Sequence, residues 1–201
     1  MADAVLLCGI DEAGRGPLAG PVYAAAVILG KNFNAEMLDD SKKLTALQRG
    51  ELRHLICAGA LAWGVGYAGA AEIDRINIHN ATLLAMKRAY EQMLKFLELF
   101  GSPDKISFDK LNTIVDGLFV PEINGVCSAM VKADAKVPEV MAASILAKTA
   151  RDRLMLRCAK MYPVYGYEKH KGYPTKEHRA AILKYGPSPI QRMTFTVSPV
   201  N

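Results

Sequence analysis

A short apolar run, Val5-Leu6-Leu7-Cys8, leads straight into Gly9-Ile10-Asp11-Glu12-Ala13-Gly14-Arg15-Gly16-Pro17-Leu18-Ala19-Gly20. The run reads as a buried strand. A buried strand that delivers two adjacent carboxylates is hard to place in a fold. On an extended chain Asp11 and Glu12 point to opposite faces, so either one is exposed or the backbone turns there. Gly14, Gly16, Pro17 and Gly20 favour a tight turn and let a ligand approach the main chain closely. Carboxylates beside bare backbone N–H groups suit a divalent cation and a phosphate together. Taken alone, the segment reads equally well as a polar loop after a strand.

The remaining pattern supplies possible partners. Val22–Leu29 is apolar throughout and short enough for a central strand. Thr45 caps a helix expected over residues 46–58, and Trp63, Val65 and Tyr67 alternate in a strand over residues 61–68. Residues 77–80 open a helix expected to run from Ala81 to about Phe100. Thr113-Ile114-Val115 is a strand ending at Asp116-Gly117. Residues 126–131 form another, followed at once by Lys132-Ala133-Asp134. Val137-Pro138 starts a long helix to about Met161, with proline in its first turn. Residues 162–173 are aromatic, basic and glycine-broken, and a last helix covers residues 176–185. This order predicts an α/β sandwich with a mixed sheet. In it Asp11, Asp116 and Asp134 all fall at or just beyond strand ends, where open α/β sheets gather ligands.

Composition limits the function classes. The 201 residues, 51% hydrophobic, fit one domain with a sizeable core. No run approaches the roughly 18 apolar residues of a membrane span. Met-Ala-Asp-Ala lacks a basic leader, so a cytoplasmic protein is expected. Cys8, Cys57, Cys127 and Cys158 are scattered without a Cys-x-x-Cys pair and read as reduced thiols. Net charge is +5, but residues 132–192 hold 13 Lys and Arg against 5 Asp and Glu. That bias suits a polyanion near a cation site, and equally a solvated helical face.

Walker A and dinucleotide fingerprints are missing, and no glutamate motif joins His170 and His178, which read as structural or supporting residues. Asp11, Glu12, Asp116 and Asp134 make the set of carboxylates that a two-metal phosphoryl-transfer site needs, with cations about 4 Å apart. Magnesium, which takes few carboxylates and keeps waters, matches the set. Asp109 competes with Asp116, since Ile106-Ser107-Phe108-Asp109 also reads as a strand ending in a carboxylate. Gly117 after Asp116, and the spacing to Lys132, favour Asp116. Asp39, Asp40 and Asp109 read as surface or turn residues.

These strings resemble bacterial ribonuclease HII, the type 2 ribonuclease H family, over nearly the whole chain. Besides the opening stretch, the resemblance is carried by Asp40-Ser41-Lys42-Lys43-Leu44, Ile76-Asn77-Ile78-His79-Asn80 and Ala142-Ala143-Ser144-Ile145-Leu146-Ala147-Lys148. Arg151-Asp152 and His170-Lys171-Gly172-Tyr173-Pro174-Thr175 complete it. It implies a ribonuclease H-like fold, a mixed five-stranded sheet flanked by helices. Residues 1–201 would form a single catalytic domain, with about 162–201 as a helical C-terminal extension. The implied activity is hydrolysis of RNA in RNA–DNA hybrids and incision 5′ of ribonucleotides embedded in duplex DNA. Asp11, Glu12, Asp116 and Asp134 would be catalytic ligands for Mg2+ or Mn2+. The backbone of Gly14-Arg15-Gly16 would sense a ribose 2′-hydroxyl, and Tyr173 would pack on the nucleotide that follows. Lys42, Lys43, Asn77, Ser144, Lys148 and Arg192 are candidate phosphate contacts.

The partner would be nucleic acid, with no membrane, and the protein a monomer. Leu118, Ala133 and Gln191 depart from the family's usual Asn, Gly and His. A hybrid-binding module without turnover, or another metal nuclease on the same sheet, are the competing readings.

Overall fold

The computed structural model describes residues 6–39, 41, 44–100 and 111–197. Lys42, Lys43, Asp40 and Asp109 therefore lie outside the described residues. Five strands, β1 (Leu6–Ala13), β2 (Val22–Leu29), β3 (Ala60–Ala68), β4 (Leu111–Asp116) and β5 (Val126–Met130), form one sheet in the order β3-β2-β1-β4-β5. β1 pairs antiparallel with β2 and parallel with β4, so the sheet is mixed as expected. Among the described residues the α-helices are α1 (Ala46–Gly59), α2 (Ala70–Phe100), α3 (Pro138–Met161), α4 (Tyr167–His170) and α5 (Lys176–Tyr185).

Alternation along β2 explains the layering. Ala24, Ala26 and Ile28 join a core with Ala81, Ala85, Met86 and Tyr90 of α2. Ala25 and Val27 face the other way, onto Leu52 and Ile56 of α1 and Ile145 and Leu146 of α3. A strand buried on both faces has to be apolar throughout, which is why Val22–Leu29 carries no polar alternation except Tyr23. Gly9 allows the closest of these approaches. A Cβ there would sit 2.2 Å from the Glu139 carbonyl carbon, so β1 and the first turn of α3 touch backbone to backbone.

Of the two courses open at Asp11 and Glu12, the backbone does not turn: β1 stays extended through both to Ala13, because they pair with β2 at Ala25 and Ala24. One expectation is corrected. The helix expected from Ala81 begins at Ala70. It breaks at Asn77, where φ 65 and ψ 166 leave helical space, and then resumes. The first segment is fastened by Glu72, which accepts the Gly69 N–H at 3.0 Å. Asn77 restarts the helix by accepting the Asn80 N–H at 3.0 Å. Among the described residues no helix is long and apolar enough to cross a membrane.

The C-terminal residues return to the start of the chain. Gly20 N–H donates to the Ile190 carbonyl, Arg192 N–H to Leu18, and Leu18 N–H to Gly172. Asp74 holds the segment beyond by accepting the N–H groups of Met193 and Thr194, both at 2.9 Å.

Candidate active site

Parallel pairing of β1 and β4 reaches Ile10 opposite Val115, so the next residues in each strand, Asp11 and Asp116, emerge side by side at the same sheet edge. Glu12 follows Asp11 in a strand that is still extended, and the two side chains face different layers. Asp11 turns to α3, where the Ser144 hydroxyl hydrogen-bonds it, and it also accepts the Glu12 N–H at 2.7 Å. Glu12 leans to the α2 side, where it lines a small recess with His79, Thr82 and Met86. Its carboxylate lies 3.5 Å from the Arg15 guanidinium.

Both faces nevertheless meet at the strand end. A cavity of about 250 Å³ is lined by Asp11, Glu12, Gly14, Arg15, Gly16, Ser41, Asp116, Ser144, Lys148 and Tyr173, with Ala13 between the carboxylates and the glycines. Asp11 is 5% exposed. Burial, then the charges of Glu12 and Asp116, push its carboxyl well above the usual carboxylate range. Burial likewise raises Glu12, against the lowering effect of Arg15.

Asp134 sits beside this cavity rather than in its lining, in the 3-10 turn Ala133–Ala135 that follows β5. The turn is tied to the site through Asp116, which accepts the Ala133 N–H at 2.8 Å. Ala133 is fully buried, and the left-handed Lys132 before it (φ 58) brings the chain round. Among the described residues no three His, Cys, Asp or Glu side chains already converge to hold an ion. The donor set still fits a hard divalent cation, because buried like-charged carboxylates on neighbouring strands are stabilised by a positive charge between them.

The glycine-rich loop is held from behind by two arginines, both fully buried. Arg192 Nη2 donates to the Gly14 carbonyl at 2.6 Å, Nη1 to Arg15 at 2.8 Å and Nε to Gly20 at 2.8 Å. Burial, then the Arg151 charge, lowers its pKa to about 9, so it remains a cation at neutral pH. Arg192 is thus a brace: three of its five N–H donors are spent on backbone carbonyls, and its side chain does not line the cavity. Arg151 donates from Nε to Pro21 at 3.0 Å and from Nη2 to Ala19 at 3.2 Å.

The brace sets the loop's polarity. The peptides of the described residues are all trans, so N–H and C=O of one peptide plane point in opposite directions. With the Gly14 and Arg15 carbonyls turned onto Arg192, the N–H groups of Arg15 and Gly16 turn away from it. Gly14 itself needs to be glycine twice over. Its φ is +97°, and a Cβ would lie 2.0 Å from Arg151 Nε.

A second network positions the other wall. Ser144 and Ser41 hydroxyls are 2.8 Å apart, and Arg49 donates to the Ser41 carbonyl at 2.9 Å and to that of Leu44. Asp152 joins Arg49 (3.7 Å) to Lys148 (2.9 Å). Lys148 also stands 5.9 Å from the centre of the Tyr173 ring, and Arg151 5.8 Å from it. Tyr173 is 41% exposed. Its backbone is held by the histidines: its N–H donates to His170, and its carbonyl accepts from His178 Nδ1 at 2.9 Å. The two imidazoles, on separate helices, stack at 4.5 Å.

The site therefore unites nine of the expected residues. It leaves Asn77 exposed at the α2 break and outside the cavity lining. Ser41 and Asp152 carry no sequence signal of their role beyond membership of family-like strings, and Arg49 lies in none of those strings. Arg151 is marked in the sequence only as part of the Arg151-Asp152 string, which says nothing of its bracing contacts.

A family profile described as Ribonuclease HII matches residues 8–198. The chain belongs to the ribonuclease HII family. Ribonuclease HII of Treponema denticola is 57% identical over 195 residues, covering 96% of this chain and 98% of its own. Among solved structures, ribonuclease H2 from Pyrococcus horikoshii OT3 superposes with a TM-score of 0.69 at 27% identity, over 96% of this chain and 94% of that one. Bst ribonuclease HIII, solved in complex with Mn2+, shares the fold at a TM-score of 0.67 and 15% identity, over 98% of this chain and 69% of that one. The protein is a hydrolytic nuclease, an endonuclease of the ribonuclease H class acting on RNA–DNA hybrids.

Proposed function

We propose that the enzyme also incises duplex DNA on the 5′ side of single embedded ribonucleotides, leaving a 3′-hydroxyl and a 5′-phosphate. The observation that carries this reading is the arginine-braced loop. The Arg15 and Gly16 N–H groups are directed away from Arg192 beside a cavity that holds three carboxylates. Backbone donors of fixed direction can recognise a ribose 2′-hydroxyl, the atom that separates RNA from DNA. They carry no base information, so cleavage is independent of sequence.

Asp11, Glu12, Asp116 and Asp134 would hold divalent ions, Mg2+ or Mn2+. The bound ions would supply activation of the attacking water and neutralisation of the leaving oxygen. Lys148 and Ser144, which line the same cavity, suit a backbone phosphate. Tyr173 offers an exposed ring for the sugar of the next nucleotide, with Lys148 and Arg151 fixing its position. In the hydrolysis the water oxygen bonds to phosphorus and the P–O3′ bond breaks, the proton passing to the leaving oxygen.

The test uses end-labelled duplexes with one internal ribonucleotide, a full RNA–DNA hybrid and an all-DNA control, each with Mg2+ or Mn2+. A single cut 5′ of the ribonucleotide is expected, with the DNA left intact. Asp134→Asn should abolish it. Hybrid binding that persists in chelator, with no product under either metal, would sink the proposal, and cleavage of the all-DNA duplex would replace it with a different nuclease.

A further inference from the structure

A second cleft, of about 380 Å³, opens on the far side of α3 and shares no lining residue with the active-site cavity. That volume lies within the roughly 300–1,000 Å³ of small-ligand pockets. One wall is the outward face of the edge strand β3 and its neighbour: Trp63, Val65 and Tyr67, with Tyr23 stacked on Tyr67 at a centroid distance of 5.4 Å. The rings gather on this side because Gly64 and Gly66 press the alternate face of β3 against the Ala89 and Ala85 carbonyls of α2. The other wall carries three guanidinium groups, Arg53 from α1 and Arg153 and Arg157 from α3.

The charged side chains lining the cleft are all basic. No acidic side chain among the described residues lines the cleft, and none of the three arginines makes an ion pair among the described residues. Arg15, Arg49 and Arg88, by contrast, each have a carboxylate partner. Three like charges converging on one concavity repel one another unless an anion shares it. An aromatic wall facing an unpaired arginine wall is complementary to a ligand with one flat ring and one phosphate.

We propose that this cleft binds a nucleotide unit, its base against the Tyr23–Tyr67 pair and its phosphate among Arg53, Arg153 and Arg157. Base–aromatic stacking is indifferent to base identity, and bidentate guanidinium contacts suit phosphate oxygens. The unit can be a free nucleotide or part of a single strand, since both present the same chemistry. The site is separate from the cleavage centre, so its test does not depend on the proposed incision activity.

Trp63 is the only tryptophan in the chain and lines the cleft, so its fluorescence reports occupancy. The intact protein would be titrated, in chelator, with AMP, adenosine, inorganic phosphate and a short oligo(dA). AMP should change the emission saturably and more tightly than adenosine or phosphate. Tighter binding of oligo(dA) than of AMP identifies a strand as the source, and the reverse identifies a free nucleotide. Arg153→Ala with Arg157→Ala, both exposed positions, should weaken AMP binding by about tenfold or more at an unchanged melting temperature. Tyr67→Ala, at a residue 54% exposed, should do the same through loss of stacking. The proposal is overturned if neither AMP nor oligo(dA) changes the emission, if phosphate alone binds as tightly as AMP, or if the variants bind unchanged.

Discussion

Arg192 Nη2 donates to the Gly14 carbonyl at 2.6 Å across 178 positions of sequence, joining the last described stretch of the chain to the loop beside the carboxylates of the candidate site. The contact is a charge-assisted hydrogen bond to a buried carbonyl, one of three that the same guanidinium makes. It makes the direction of the Gly14-Arg15-Gly16 backbone a property of the tertiary fold.

Arg192→Ala should remove all three bonds and leave buried carbonyls without donors. A loss of about 3 kcal/mol or more is expected in urea unfolding. Arg192→Lys keeps the charge but cannot span three acceptors. It should remain folded and show a raised KM on a single-ribonucleotide duplex. An unchanged KM would show that the brace does not set the loop's geometry for substrate.

Gly14 and Gly16 should respond differently to the same added methyl group. At Gly14 the methyl meets Arg151 Nε at 2.0 Å and φ is +97°, so Gly14→Ala should lower both stability and cleavage. At Gly16 the nearest atom is Tyr173 Cε1 at 3.8 Å, ordinary contact. Gly16→Ala should therefore melt within a few degrees of the parent yet cut embedded ribonucleotides more slowly. Thermal melting and single-turnover cleavage together check the pair.

Asp11→Asn should stabilise the metal-free protein while abolishing cleavage. Burial first, and the charges of Glu12 and Asp116 after it, raise the Asp11 pKa, so the ionised form at neutral pH is disfavoured in the fold. Stability associated with such a group is present below its unfolded pKa and lost as pH rises through the folded value. An uncharged amide escapes that loss. Each kcal/mol recovered should lift the melting temperature by about 2–4 °C in a chain of this size. A melting temperature at or below the parent's in chelator would contradict it.

The stacked histidines predict a pH dependence of the opposite sense. Burial lowers the pKa of both His170 and His178 below their usual 6.5. Their stabilising contribution is full above about pH 6.5 and is lost as pH falls toward the folded values, because the unfolded chain takes up protons that the fold resists. The slope should approach about 1.4 kcal/mol per pH unit for each histidine in that window. His178→Gln should flatten it, as read from urea midpoints measured at a series of pH values. Since His178 accepts this role while holding the Tyr173 carbonyl, the same variant should also raise KM.

Much of this enzyme is legible in its sequence. Strand β2 and the strand-end position of Asp116 follow from hydrophobic period and turn residues, which are local signals. The motif strings bring Asp11, Glu12 and the glycine loop together because they are contiguous. The strand's continuation through Glu12 was less legible, since ladder hydrogen bonds to Ala25 and Ala24 outweigh the polar side chains. Residues 70–76 hid a helical segment because Ile73 is their only buried residue and therefore sets no periodicity.

What only the tertiary structure decided concerns partners distant in sequence. Arg192 looks like a surface cation beside the basic stretch, yet burial commits it to carbonyls of Gly14, Arg15 and Gly20. His170 and His178 become a stacked pair under Tyr173, and Arg49, Asp152 and Lys148 become one network on the site's wall. Period and motif record what each residue does to its own neighbours along the chain. Which long polar side chain is buried, and against which carbonyl, is set by the packing of segments that meet only when the whole chain has folded.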